Sequence, residues 1–281
     1  MNSNRFVTRS ARALLPRTIR NWLRAPRTTI RYLGNRIAFD LGAYKYAQIT
    51  SDWSVRCHPA AEPLFKVFHN DFAQSQELAS FRAHIRPSMS FLDIGAHYGI
   101  FALAAARFAP GATITCVEPS PKAIDVLAAN LKANELESVV QIIQAAAGPN
   151  DGTLKVLSTG PAGADYFVVP SFARGDTIQV PMLSLSSLFA RMKRPPTHVK
   201  IDIEGYELEV TDAAKETLAT LKPIVFLELH GSLINARGKD PASVLTSLRD
   251  AGYGSFTLNE IPLCDEILNQ NNFNCRIVCQ Q

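Results

Sequence analysis

From about Trp53 onward, short apolar runs alternate with stretches in which apolar positions recur every three or four residues. Short runs fit buried strands, and the longer periodic stretches fit helices. Ser90–Ile94 therefore predicts a strand, and Ile100–Phe108 a helix opened by a glycine-containing turn. Thr113–Val117 predicts the next strand, Pro121–Asn134 a helix, and Val139–Ala146 another strand. Leu154–Leu157 and Ile178–Leu183 fit an inserted hairpin, with a strand at His198–Ile203 after it. A helix over Glu207–Leu221, a strand over Ile224–Leu229 and a helix over Pro241–Ala251 continue the alternation. Phe256–Asn259 and Asn274–Cys279 close the pattern as two strands with no long helix between them, which predicts a final antiparallel pair. Alternation of this kind predicts an α/β domain: a Rossmann-like, doubly wound, mostly parallel sheet with helices on both faces.

Composition agrees with a packed domain. Of 281 residues, 47% are hydrophobic and 19% charged, enough to fill a large core and incompatible with a disordered chain. No apolar run approaches the ~18 residues of a spanning helix. Five cysteines, an odd number with no C-x-x-C pair, fit neither a zinc site nor a disulfide framework. Reduced thiols in a cytoplasmic setting are the simplest reading.

Charge divides the chain unevenly. Residues 1–40 hold nine arginines against one acid, Asp40, a surplus of +8 that leaves −4 for the rest of a chain whose formal total is +4. We therefore divide the sequence into an Arg-rich, partly helical leader over 1–50 and a domain over 51–281. An acidic body argues against a nucleic-acid grip spread over the domain. Within the leader, Ile30, Leu33, Ile37, Leu41 and Tyr44 fall at near-helical spacing. That stripe fits either a basic amphipathic helix lying peripherally on an anionic membrane or a terminal helix packed on the domain; pattern alone prefers packing.

Candidate chemistry begins where the first core strand meets the first core helix, at Phe91-Leu92-Asp93-Ile94-Gly95-Ala96-His97-Tyr98-Gly99. Gly95 and Gly99 let backbone approach a ligand, and Asp93 offers a carboxylate to a cationic amino group. After the second strand, Glu118 stands where a ribose diol would lie. A nicotinamide-dependent oxidoreductase would want G-x-G-x-x-G, but His97 and Ile100 occupy its second and third glycine positions. A G-x-x-x-G loop preceded by an acid suits S-adenosylmethionine better. His97, inside the loop, is a further candidate contact to cofactor or acceptor.

These residues resemble the FkbM-type S-adenosylmethionine-dependent methyltransferases. The resemblance rests on Phe91–Gly99, on Val117-Glu118-Pro119-Ser120, on Ala145-Ala146-Ala147-Gly148, on Val199-Lys200-Ile201-Asp202-Ile203-Glu204-Gly205-Tyr206-Glu207 and on Phe226-Leu227-Glu228-Leu229-His230, with Glu77 ahead of the first core strand. It covers roughly residues 53–250, with its core at about 90–250. It implies a class I methyltransferase fold and transfer to a hydroxyl of a sugar or glycan, a polyketide or another small metabolite. It also implies cofactor contacts at Glu77, Asp93, Gly95, His97, Gly99, Glu118, Pro119, Ser120 and Ala146. One departure stands out: the family's Asp after T-L or S-L is Ser186 here, which puts the shape of the acceptor pocket in question. A catalytically silent binding module remains the alternative.

Strand alternation puts Lys200, Asp202 and Glu204 on one side of their strand, and Glu228 with His230 on one side of the next. Methyl transfer to a hydroxyl needs alignment, exclusion of water and an acceptor for the hydroxyl proton. Asp202, Glu204 and His230 are the candidate catalytic residues. A partly desolvated carboxylate among them would have a raised pKa suited to a base. A divalent metal is not favoured; a metal version would use Asp202, Glu204, Glu228 and His230.

Overall fold

The computed structural model describes residues 34–157, 177–263 and 274–281. Residues 34–40 are helical, and an antiparallel hairpin of β1 (Lys45–Thr50) and β2 (Trp53–Cys57) follows. Helices α1 (Glu62–Asn70) and α2 (Phe72–His84) lead into the main sheet. Then come β3 (Ser90–Ile94), α3 (Ile100–Phe108), β4 (Thr113–Val117), α4 (Pro121–Ala133) and β5 (Val140–Ile143). A small sheet of β6 (Ala146–Ala147), β7 (Gly152–Leu157) and β8 (Thr177–Leu183) precedes α5 (Leu185–Ala190). The second half runs β9 (His198–Ile201), α6 (Glu207–Ala213), α7 (Lys215–Leu221), β10 (Ile224–His230), α8 (Gly231–Ala236) and α9 (Ala242–Asp250). It closes with β11 (Ser255–Leu258), β12 (Ile261–Pro262) and β13 (Asn274–Gln280).

The main sheet has the order β12-β11-β13-β10-β9-β3-β4-β5. Strands β10, β9, β3, β4 and β5 are parallel neighbours, while β13 inserts antiparallel between β10 and β11. This is the expected doubly wound sheet with its antiparallel ending. Strand order reverses between β3 and β9, so a crevice opens at their carboxyl ends.

Both faces are packed, which is why the core strands read as continuous apolar runs. On one face Phe81 of α2 meets the rings of Phe91, Phe101 and Phe226 at 5.1, 5.2 and 5.0 Å. On the other, Leu92, Ile94, Val199, Ile201 and Leu227 are buried with Leu245 and Leu248 of α9. Local signals set the helix starts. Asp71 caps α2 by accepting from Gln74 N, and Ser120, followed by Pro121, caps α4 by accepting from Ala123 N.

Four expectations change. The strand expected over His198–Ile203 ends at Ile201, so Asp202 and Glu204 lie beyond it. Val139–Ala146 is not one strand: the chain leaves the main sheet after Ile143, and Ala146–Ala147 pairs with β8 instead. The helix over Glu207–Leu221 is interrupted at Ala214, which ends α6 and begins α7. Of the leader stripe's described residues, Ile37 and Leu41 do not pack. Ile37 and Leu41 are 59% and 82% exposed, while Phe39, off the stripe, is buried against the rings of Tyr44 and His58. Ile30 and Leu33 lie outside the described residues. The boundary at residue 50 falls at the end of β1, whose Ala47 and Ile49 are already fully buried in the core.

Asn130 of α4 ties the N-terminal hairpin to the turn after β3. Fully buried, it accepts from His58 N at 2.7 Å and donates to Tyr98 O at 2.8 Å. Substituting Asn130→Leu would leave both backbone groups unpaired in the interior. We expect a loss of about 2–4 kcal/mol in urea unfolding, with an unchanged denaturant slope. A loss under about 0.5 kcal/mol would show that these bonds do not matter.

Candidate active site

The turn after β3 is bound to both neighbouring strands. Gly95 N and Ala96 N both donate to Val117 O of β4, and Asp202 N donates to Ile94 O. Gly95 adopts φ +81°, and a Cβ there would sit 1.8 Å from the Asp202 carbonyl oxygen. No side chain fits, so glycine is required by β9 as well as by any ligand. His97 takes a left-handed φ of 48°, and its N–H donates to Glu118 Oε2 at 2.9 Å. Ser120 N donates to Glu118 Oε1 at 2.8 Å, so the carboxylate is fixed across the ends of β3 and β4. Burial pushes the Glu118 carboxyl up to about 7 against those two donors.

Beneath this turn, Asp93 is 1% exposed, and neither of its carboxylate oxygens has a protein partner. Burial raises it to about 7, opposed by the Lys200 charge. Asp93 does not line the cavity over the strand ends, so it would act on a bound cation through its charge rather than by contact.

A cavity of about 320 Å³ opens over the strand ends. The turn contributes Gly95, Ala96 and His97; Glu118, Pro119 and Ala146 line it as well. Helix α1 contributes Leu64, Val67 and Phe68. The polar lining comes from Asp202, Glu204, Glu228 and His230, together with Lys200, Glu77 and Arg276.

Lys200 is 3% exposed and organises these charges. Its Nζ donates to Asp202 Oδ2 at 2.8 Å, lies 3.8 Å from Glu77 Oε1, and rests 4.7 Å from the centre of the Phe101 ring. Burial disfavours its charge, but Asp202 and Glu77 outweigh that and hold the ammonium protonated. Burial likewise opposes ionisation of Asp202; Lys200 overcomes it and keeps the carboxyl below its usual range. Asp202 is thus not the raised-pKa carboxylate the sequence suggested. Arg276 of β13 supplies a second cation, with Nε 2.9 Å from Glu77 Oε2 and an Nη2 bond of 2.7 Å to Glu228.

His230 stands at the end of β10. Its Nδ1 lies 2.8 Å from Glu207 Oε1, and opposite a carboxylate that nitrogen carries the proton and donates. Nε2 then faces Glu204 Oε2 at 3.6 Å and Asp202 Oδ1 at 3.9 Å. Burial opposes the charged ring, but the Glu207 bond and the surrounding carboxylates lift it to about 9. Glu207 is fully buried at the start of α6, and its Oε1 also accepts from Gly205 N at 3.0 Å. Glu204 and Gly205 both have left-handed φ values, 55° and 90°, and this kink leads the chain from β9 back to Glu207.

The structure thus gathers Asp202, Glu204 and His230 within one group, their ligating atoms all within 4.8 Å of one another. Glu228 does not join them; Arg276 holds it, so the four-ligand metal set reduces to three. Glu77 lines the cavity as part of the buried ion network. Asp93, Gly99 and Ser120 stand apart from the lining. Gly99 packs on Leu127, whose Cδ1 would be 2.3 Å from an added Cβ, and Ser120 caps α4. Ser186 lies elsewhere, 3.1 Å from Ser184 Oγ at the start of α5, where Asp151 accepts from Ser184 and Ser187. The missing aspartate therefore leaves this cleft intact, and Asp151 supplies a carboxylate at that helix start. Sequence reasoning did not single out Arg276 or the role of Glu207. The period-2 pattern around Arg276 was the available signal for the first.

The Methyltransferase FkbM domain profile matches residues 93–254. Among solved structures, the chain is similar to the methyltransferase FkbM from Methylobacillus flagellatus KT: 15% identity, TM-score 0.46, covering 94% of this chain and 62% of that one. A putative O-methyltransferase from Nostoc punctiforme PCC 73102 matches at 15% identity and TM-score 0.45, over 93% of this chain and 70% of that one. Fibrillarin from Aeropyrum pernix, in complex with natively bound S-adenosyl-L-methionine, matches at 10% identity and TM-score 0.43, over 74% of each chain. No curated protein matches. With the family profile spanning more than half its length, over the strands that build the cleft, this chain belongs to the FkbM methyltransferase family.

Proposed function

We propose that this protein is an S-adenosylmethionine-dependent O-methyltransferase acting on a hydroxyl of a sugar or glycan, a polyketide or another small metabolite. The observation that carries this reading is the convergence of Asp202, Glu204 and His230 Nε2 in the same cavity as Glu118 and the Gly95 turn. S-adenosylmethionine supplies a methyl group on a positively charged sulfur. Glu118, already oriented by two backbone donors, would accept from ribose hydroxyls, and Pro119 and Ala146 would flank the nucleoside. Asp93 places negative potential beneath the turn.

His230 is the group we assign to receive the hydroxyl proton. Glu207 fixes its ring so that Nε2 faces the cleft, and Asp202, pinned by Lys200, accepts a hydrogen bond that orients the acceptor. Leu64, Val67 and Phe68 line the cleft with apolar surface and help exclude water. A base already carrying a proton must lose it before it can act, and a metal at His230 would have to displace that proton too. We therefore favour catalysis without a metal. The carboxylate-lined cleft and the acidic body of the chain disfavour a polyphosphate acceptor such as nucleic acid.

Cofactor affinity should depend on pH with a defined sign. Asp93 and Glu118 both titrate near 7 in the free protein, and a bound cation favours their ionised forms. Binding then releases protons near neutrality and weakens as pH falls through about 7. Calorimetry in buffers of different ionisation enthalpy measures that release. Glu118→Gln should weaken binding by roughly tenfold or more and reduce the release. Equal affinity from pH 5.5 to 8.5 would contradict the assignment.

Turnover carries the second signature. With His230 raised to about 9, the reactive neutral ring becomes more abundant as pH rises, so the rate should climb toward pH 9. His230→Ala should lower kcat by about 10²- to 10⁴-fold while cofactor affinity stays within a few-fold of wild type. EDTA should leave the rate unchanged. A rate restored by Mg²⁺ after chelation would make His230 a ligand, and a rate flat across pH 6–9 would remove it as the base.

A further inference from the structure

We propose that Arg237 is a positioning residue for His230: it clamps the turn at Glu204–Tyr206 and so keeps Glu207 and Glu204 against the two nitrogens of the ring. The proposal rests on His230 being the base. Glu204, Tyr206 and His230 all line the cavity, and Arg237 does not. Whatever Arg237 contributes to the site therefore passes through other residues. The turn itself needs holding. Glu204 and Gly205 take consecutive left-handed φ values of 55° and 90°. For a glutamate that conformation is unfavourable and persists only where the surrounding structure imposes it.

Both backbone polar groups of the buried Gly205 are captured. Its N–H donates to Glu207 Oε1 at 3.0 Å, the oxygen that also accepts from His230 Nδ1. Its carbonyl accepts from Arg237 Nη1. The same guanidinium lies 4.6 Å from the centre of the Tyr206 ring and donates through Nη2 to Glu209, two residues beyond Glu207 on α6. One planar group thus holds a carbonyl, a ring and a carboxylate across the turn and the start of α6. A lysine could not stack and fork at once. Its place in the chain fits the task. Helix α8 begins immediately after His230 and ends at Arg237, so base and clamp sit at the two ends of one short helix. Between them Leu233 packs on the kink, where a Cβ added to Gly205 would come within 2.5 Å of it. Movement of the turn would shift Glu207 Oε1 and Glu204 Oε2, now 2.8 and 3.6 Å from the ring nitrogens. A displacement of about 1 Å is enough to break the bond to Nδ1.

Magnetic resonance of the full chain, labelled with nitrogen-15 at its 6 histidines, reads the ring directly and needs no methyl acceptor. The His230 Nδ1–H signal is assigned by its absence from His230→Gln. In wild type this proton should exchange slowly with water, and Arg237→Met should speed the exchange at least about tenfold. Affinity for S-adenosylhomocysteine, measured by calorimetry, should stay within about threefold, because Glu118 follows β4, beyond β3 from β9. Arg237→Lys keeps the charge without the planar fork and should show the same effect at smaller size. Lys239→Met removes another partner of Glu209, 2.7 Å away on a side chain 42% exposed, and should leave the exchange unchanged. Unchanged exchange in both Arg237 variants, or equal acceleration in Lys239→Met, would overturn this proposal and leave His230 as the base. Loss of cofactor affinity together with the His230 signal would also overturn it, by making Arg237 a general support of the fold. An Nδ1 without its proton in wild type would overturn both this proposal and the orientation assigned to the base.

Discussion

On β9, at the middle of the sheet, Lys200 buries its ammonium at 3% exposure between α2, α3 and the carboxyl ends of the strands. A lone cation there would be very costly, and so would the carboxylates around it. Together they are tolerable. Glu77 reaches in from α2, Asp202 follows two residues along, just past the end of β9, and Arg276 closes the set from β13 by holding Glu77 and Glu228. Removing Lys200 would leave Asp202 and Glu77 facing each other's charge in a partly dry cleft. The acidic character of the cleft depends on this one buried base.

Around that centre the protein separates two tasks along neighbouring strand ends. The end of β3, braced on Val117 and on the carbonyl of Asp202, presents backbone and the fixed carboxylate of Glu118. The ends of β9 and β10 present groups that can exchange a proton. Gly95 joins the two halves, since its missing side chain lets β3 and β9 approach closely enough for both to share one cavity. Glu207 gives His230 a fixed direction in the same way that Lys200 does for Asp202. Each reactive group is therefore held by a partner more buried than itself.

Much of this was legible in the sequence because the parallel strands are apolar on both sides and short, and because the turns after them carry glycine. Ser90–Ile94 and Ile100–Phe108 agree with the structure residue for residue. The N-terminal hairpin and α1–α2 were not legible: β1 alternates over a polar face, and α2 mixes Gln, Ser, Arg and His among its buried Leu78 and Phe81. In the site, strand alternation led to Asp202, Glu204 and His230 as a group, although Asp202 and Glu204 lie just beyond β9 and Glu204 is placed by the left-handed kink. Their protonation was not legible, because it depends on Lys200 and Glu207, partners supplied by burial and by the kink at Glu204–Gly205. Gly99 looked like a ligand glycine for a related reason: the pattern G-x-x-x-G does not tell backbone that approaches a ligand from backbone that approaches Leu127.

The ion network also constrains the order of assembly. Glu77 precedes the first core strand, whereas Arg276 lies on β13, which is last in the chain yet sits between β10 and β11 in the sheet. Contacts between such distant parts of the chain require closure of long loops and come late in folding. Until β13 is in place, Glu77 and Glu228 lack Arg276, and a half-built sheet must keep that corner wet. The ion network is in this sense the keystone of the sheet, joining elements from both ends of the domain.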